Sequence, residues 1–225
     1  MKQIFSLLLS LVLLFIPSAF ADKTAEQSAS LLSGTWYTDM SGVPMEMNLG
    51  EDGAYTIQIL GSEPETGTWE LRDGFIYLNG SASPEFNVMA DKLLWSDAFT
   101  LFTREKNELY QPADELSEIP ADFFRGYWKA FCVDVDGSAC LASALNDTTD
   151  LYVEGNSMIL GGPLFGDLPV KAESTDGALV CTAEGITVTL RMQQDGFLRM
   201  TMDTGEETMT WYLAAVAGMM PVSGK

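Results

Sequence analysis

The sequence predicts an all-β protein built as two antiparallel up-and-down barrels in tandem. Three observations predict it: hairpin dipeptides, strict two-residue alternation, and a Gly-x-Trp tripeptide at the head of each of two strand-rich halves. Asp-Gly pairs begin at Asp52, Asp73, Asp136, Asp176 and Asp195, and Asn79-Gly80 adds a sixth turn. Such pairs reach the positive φ values that tight hairpins need. Between them, apolar and polar residues alternate, as in Met45, Met47 and Leu49 or Val188, Leu190 and Met192. That period places one residue set on each face of a strand. After residue 21 the helical period of 3.6 is nowhere sustained. One large sandwich running through both halves is the architectural alternative.

Taken in order, residues 1–21 read as a secretory signal peptide. Lys2 supplies the positive start, Ile4 to Ile16 the apolar run, and Ala19 and Ala21 a cleavage site. The run is shorter than the ~20 residues of a spanning helix, and no Cys follows Ala21 to make a lipobox. An uncleaved anchor is the alternative. The first barrel is expected over 31–105, with strands near 35–40, 44–49, 54–60, 66–71, 75–78, 85–89, 92–95 and 98–104. Residues 106–121 carry two Pro and four acids with weak periodicity and read as an acidic linker. The second barrel is expected over 122–215. Its eight or nine strands lie near 126–134, 139–143, 149–153, 157–160, 164–172, 178–183, 186–192, 196–202 and 207–214. Short sequential strands with tight turns close into barrels that hide their edges.

Composition bounds the partners. Acids outnumber Lys and Arg by 32 to 12, giving a net charge of −20. The acid is spread over both halves, which favours a solvated, monomeric surface. It argues against nucleic acid and anionic lipid, because both need a cationic patch. Three Cys in an exported chain leave at least one unpaired. Cys132 and Cys140 flank Val135-Asp136-Gly137, and a three-residue hairpin loop there would oppose them at disulfide distance. The alternative is two small buried hydrophobes. Cys181, in Leu179-Val180-Cys181, reads as core.

The repeated motif carries a resemblance. Each half resembles a lipocalin-like domain of the calycin type, small forms of which recur in secreted bacterial proteins. Gly34 and Trp36 match the family's first strand, as do Gly126 and Trp128, and Gly67-Thr68-Trp69 fits a mid-barrel repeat of it. The family often ends on an Arg that lies over the Trp, and Phe102-Thr103-Arg104 matches this. The second half ends Trp211-Tyr212-Leu213 without one, leaving Arg125 or an aromatic to cover Trp128. The resemblance implies an eight-stranded barrel in each half. It also implies a binding role for small molecules or proteins, without naming a ligand.

Much chemistry is excluded. With no His anywhere, His-based nucleophile pairs and His-dependent metal sites are gone. No Gly-rich phosphate loop stands between a strand and a helix; Gly161-Gly162-Pro163 reads as a loop break. Carboxylate pairs remain the one catalytic option, but Glu46, Glu70 and Asp203 fall on solvent faces or beside turns. Asp134 to Ser138 has the Gly out of place for a calcium loop and reads as a turn. Met158, Met192, Met200, Met202 and Met209 could offer thioethers to Cu(I), but at alternating positions they read as core filling. No enzyme activity, cofactor or metal is expected.

Two functions stay open. One is an exported module holding a small apolar ligand. The other is a protein-interaction, adaptor or inhibitor module with solid barrels, secreted or associated with the cell envelope. Eight strands enclose room for side chains or for one small ligand. The shorter first half is expected to be filled. The longer second half is the candidate for a cavity, lined by Trp128, Val188, Leu190, Met192, Met200, Met202 and Trp211.

Overall fold

Two antiparallel sheets follow one another along the chain, each curled until it nearly closes. The computed structural model describes residues 29–216 except 41, 90, 107–109, 136 and 184; the expected signal peptide lies outside these. The first sheet runs β1 (Gly34–Met40), β2 (Val43–Leu49), β3 (Ala54–Ile59), β4 (Glu65–Arg72), β5 (Phe75–Leu78), β6 (Phe86–Met89), β7 (Lys92–Trp95) and β8 (Thr100–Phe102). Each strand pairs with the next. Closure rests on a single bridge in which Tyr37 and Thr103 exchange backbone hydrogen bonds of 2.8 and 2.9 Å. The hairpin dipeptides act as expected: Asp73 and Asn79, each with φ of +52°, precede glycines that also have positive φ.

The second sheet is larger. It comprises β9 (Gly126–Val135), β10 (Ser138–Leu141), β11 (Asp150–Glu154), β12 (Ser157–Gly161), β13 (Leu168–Lys171), β14 (Glu173–Thr175), β15 (Ala178–Ala183), β16 (Ile186–Met192), β17 (Leu198–Asp203) and β18 (Thr208–Ala215). Their order is β13-β12-β11-β9-β18-β17-β16-β15-β14, with β10 folded onto β9. First and last strands pair along most of their length, from Thr210↔Asp134 to Ala215↔Trp128, through a bulge at Tyr212/Leu213. The two unpaired edges, β13 and β14, are therefore consecutive in sequence. This corrects the expected count of eight or nine strands to ten. The segment 164–172 is not one strand: Phe165 and Gly166 turn back to hydrogen-bond the Gly162 carbonyl, and Ala172 breaks the chain between β13 and β14.

A second correction concerns the cysteines. Ser138 pairs with Val135, so the hairpin loop is one residue shorter than expected and Cys140 faces Val133 while Cys132 faces Leu141. A one-residue shift moves a side chain to the opposite face. Cys132 and Cys140 thus lie on opposite faces of the ribbon, and all three thiols are free.

Both halves begin with the same corner. A helical turn at 29–32 precedes Gly34, and a 3₁₀ turn, Ala121–Phe124, precedes Gly126. The glycines take φ of +114° and +144°. Trp36 then donates its indole N–H to the Leu32 carbonyl at 2.8 Å, and Trp128 donates to Phe124 at 2.8 Å. A buried indole N–H needs such a partner. Each ring enters the core of its own barrel. Over Trp36 lies Arg104, its guanidinium carbon 3.6 Å from the ring centre, donating to the Ser33 and Leu31 carbonyls at 3.1 and 2.6 Å. In the second corner Arg125 turns to Glu154 instead, at 3.3 Å.

A third core joins the barrels. Leu94, Phe99 and Leu101 from the first sheet meet Phe131, Cys132, Phe197 and Tyr212 from the second, around Tyr110 of the connecting segment. Its rings touch edge to face, with Tyr110 4.9 Å from Tyr212 and 5.1 Å from Phe131. The connector is strapped down beyond Tyr110. Leu116 N–H donates to Met192, Gln194 N–H donates to Asp114, and Glu115 pairs with Arg199 and Arg191 at 2.7 and 3.4 Å. Gly177, at φ +71°, makes room for this strap, since a Cβ there would stand 2.7 Å from the Glu118 nitrogen.

Candidate functional site

The gap between β13 and β14 sets up the site. The β14–β15 ladder stops at Glu173↔Val180, so Cys181–Ala183 have no strand partner on that side. Across the gap stands β13, held to β12 from Leu160↔Leu168 to Ser157↔Lys171. Between these walls lies a hollow of about 320 Å³. Leu160 and Val170 form one wall, Cys181, Val188 and Met202 the other, and Phe165 of the preceding loop closes the inner end. Phe165 in turn rests against Trp211, with ring centres 5.8 Å apart.

The side chains that line it are all apolar apart from the Cys181 thiol. Burial pushes the Cys181 thiol above its ordinary range, with a backbone hydrogen bond at Val188 partly opposing, so it stays neutral near pH 7. Leu164, Leu168 and Ile186 form the rim and are 57%, 43% and 38% exposed. Exposed apolar side chains gathered round an opening mark a contact surface, whereas single scattered ones do not. The hollow can hold an apolar body. It offers no charged group to orient a polar one.

The first barrel differs at its corresponding opening. A hollow of about 400 Å³ lies at one end, walled by Ile57, Leu78, Phe86 and Trp95 but also by Glu65, Asn79, Ser81 and Glu85. Trp36, Met47, Leu49, Leu93 and Phe102 pack the interior of this barrel. A relay organises its polar side: Asn79 accepts the Thr68 N–H, donates to the Tyr55 hydroxyl at 2.9 Å, and Tyr55 donates to Glu65 at 2.5 Å. Burial, then the bond to Glu65, raises the Tyr55 phenol to about 12. Gly67 makes this possible, because a Cβ there would fall 2.0 Å from Asn79 Oδ1.

All seven residues expected to line a cavity point into the second barrel's core. Val188 and Met202 reach the hollow. Trp128, Leu190, Met192, Met200 and Trp211 do not line it; they fill the rest of the interior, and Trp211 anchors its indole N–H on Asp147 at 3.0 Å. The reason is the position of the gap, which puts the space beside β13 and β15 instead of on the barrel axis. Leu164, Phe165, Leu168 and Ile186 were missed. Their signal was an apolar pair, Leu164-Phe165, inside a Gly-rich loop where solvent exposure would favour polar residues. Among the described residues, no three His, Cys, Asp or Glu side chains converge as a metal site, and no helix is long and apolar enough to cross a membrane.

No family model matches the chain, and no curated protein matches it. Among solved structures, it is similar to a protein of unknown function from the DUF3598 family of Nostoc punctiforme, at 10% identity and a TM-score of 0.25. That similarity covers 84% of this chain and 97% of the other.

Proposed function

We propose that this protein is an exported, non-enzymatic lipocalin-like module that holds a small apolar molecule in the seam of its second barrel. The observation that carries the reading is the hollow beside β13, whose lining side chains are uncharged and, but for the Cys181 thiol, apolar. Its volume sits at the lower end of the range for small-molecule pockets. Burying about 200 Å² of apolar ligand surface there contributes roughly 5 kcal/mol before the cost of association. Since about 5 kcal/mol corresponds to roughly 0.2 mM even without that cost, it supports weak binding, near-millimolar at best, for a small ligand. Export rests on residues 1–21, and the lipocalin-like assignment on the paired Gly-x-Trp corners. The absence of His supports a role without catalysis.

An interaction module is the second reading, and the exposed rim of Leu164, Leu168 and Ile186 favours it. Such a rim could meet a partner chain as readily as it admits a ligand. Native mass spectrometry of the protein purified from its own host separates the two. A bound mass of a few hundred daltons supports the pocket. A stoichiometric partner chain with an empty pocket supports the adaptor and counts against the first reading.

A further inference from the structure

We propose that the cleft between the two barrels binds a neutral saccharide, at a site separate from the apolar seam. The cleft encloses about 550 Å³, with the outer face of β5–β7 on one side and Ala215 at the end of β18 on the other. Pockets of this size commonly form where two domains meet. Phe75 and Tyr77 alternate with the inward-facing Ile76 and Leu78, so both rings stand on the outer face of β5. Asn87 is directly opposite Phe75 on β6. Both rings are half-buried. Arg72, which does not line the cleft, packs 3.6 Å over the Tyr77 ring and fixes its orientation.

The polar groups around these rings are unused. The Asn87 amide, the Ser96 hydroxyl and the Asp97 carboxylate line the cleft, and none has a side-chain hydrogen bond or ion pair within the described chain. They supply an amide that donates and accepts, a hydroxyl that does both, and a carboxylate that accepts. A pyranose ring matches that set. One of its faces presents C–H groups that lie against an aromatic ring, and its edge carries hydroxyls that both donate and accept. An apolar chain would leave these polar groups unsatisfied. A phosphate or uronate would meet Asp97 and a net charge of −20.

The floor of the cleft is held in an uncommon conformation. Phe99 has φ of +50° and closes a tight turn by donating its N–H to the Trp95 carbonyl at 2.9 Å. For a bulky residue this is an outlier, and such outliers gather at functional sites. Its ring is anchored in the core between the barrels, so the turn that presents Ser96 and Asp97 is tied to the junction of the two sheets.

Calorimetric titration of the full chain with maltose, cellobiose and N,N′-diacetylchitobiose tests the proposal. At least one should bind saturably, and glucuronic acid should not. Tyr77→Ala and Asn87→Ala should weaken that binding at least tenfold, while Tyr77→Phe keeps it. If Tyr77→Ala fails to fold, Asp97→Ala on the exposed turn should still give a measurable loss. None of these variants should change uptake of an apolar probe by the seam, so this site and the proposed ligand pocket can fail separately. The proposal is overturned if none of the three sugars saturates up to tens of millimolar, or if binding survives the cleft substitutions.

Discussion

The two barrels start from the same corner and close in opposite ways. In the first, the terminal strands meet at one bridge, Tyr37–Thr103, and Arg104 spans the remaining distance by stacking on Trp36 and donating to two carbonyls of the opening turn. In the second, β18 and β9 pair over their length and the break is displaced to β13 and β14. The arginine lid stands where the ladder is short; where the ladder is long, Arg125 turns away to Glu154 and the opening lies at another edge. That displacement puts an apolar slot in the second barrel, while the first retains a polar mouth built on Tyr55, Asn79 and Glu65.

The comparison breaks first at the shared corner. Trp36→Ala and Trp128→Ala should each cost about 3–5 kcal/mol, the usual range for removing a buried aromatic, and by similar amounts. Denaturant titration checks this. A loss several-fold larger in one barrel would show that the corners are not equivalent.

Arg104→Ala is next and should separate the barrels. Losing the cation–π contact and two charge-assisted hydrogen bonds should cost roughly 2–4 kcal/mol. Arg125→Ala, which loses a largely solvent-exposed pair with Glu154, should cost under ~1 kcal/mol. Equal effects would remove the argument that only the first barrel depends on its lid. Gly177→Ala tests the strap that ties the connector to the second barrel: the left-handed backbone alone costs about 1–2 kcal/mol, and the clash with Glu118 adds to it. A thermal melt showing no destabilisation would mean that the strap is not held against β15.

The strands themselves were legible in the sequence because alternation and Asp-Gly turns state period and boundary together. The eight expected in the first half match the eight observed to within two residues at every end. What could not be read was pairing at a distance. The Cys132–Cys140 expectation failed by one residue of loop length, which alternation inside a strand does not specify. The core between the barrels had a signal that went unread. Ala130-Phe131-Cys132-Val133 and Trp211-Tyr212-Leu213-Ala214 are apolar at every position, the pattern of strands buried on both faces. Of the seven residues expected to line a cavity, only Val188 and Met202 reach the hollow beside β13, because no local pattern marks which edge of a closed meander stays unpaired.

The smallest expected effect is a likeness between the barrels. Tyr55 and Tyr127 each bond a carboxylate, Glu65 and Asp150, and burial first, then that bond, raises both phenols to about 12. A folded-state value above the unfolded one near 10 means a contribution fully present below pH 10 and lost as pH climbs toward 12. Absorbance at 295 nm should show both phenols ionising late, and denaturation midpoints should fall only above pH 10. Tyr55→Phe and Tyr127→Phe should each flatten that fall; a slope unchanged in both would contradict the assignment.

The most direct test of the central claim is fluorescence titration with a neutral apolar probe, N-phenyl-1-naphthylamine, against the wild-type chain and two single variants. Ile186→Asp places a charge on the rim of the second barrel's slot, and Ile57→Asp places one at the mouth of the first. The account predicts saturable one-site binding that Ile186→Asp weakens at least tenfold and Ile57→Asp leaves unchanged. Binding that follows Ile57 instead, or no saturable binding by a well-folded chain, would contradict it.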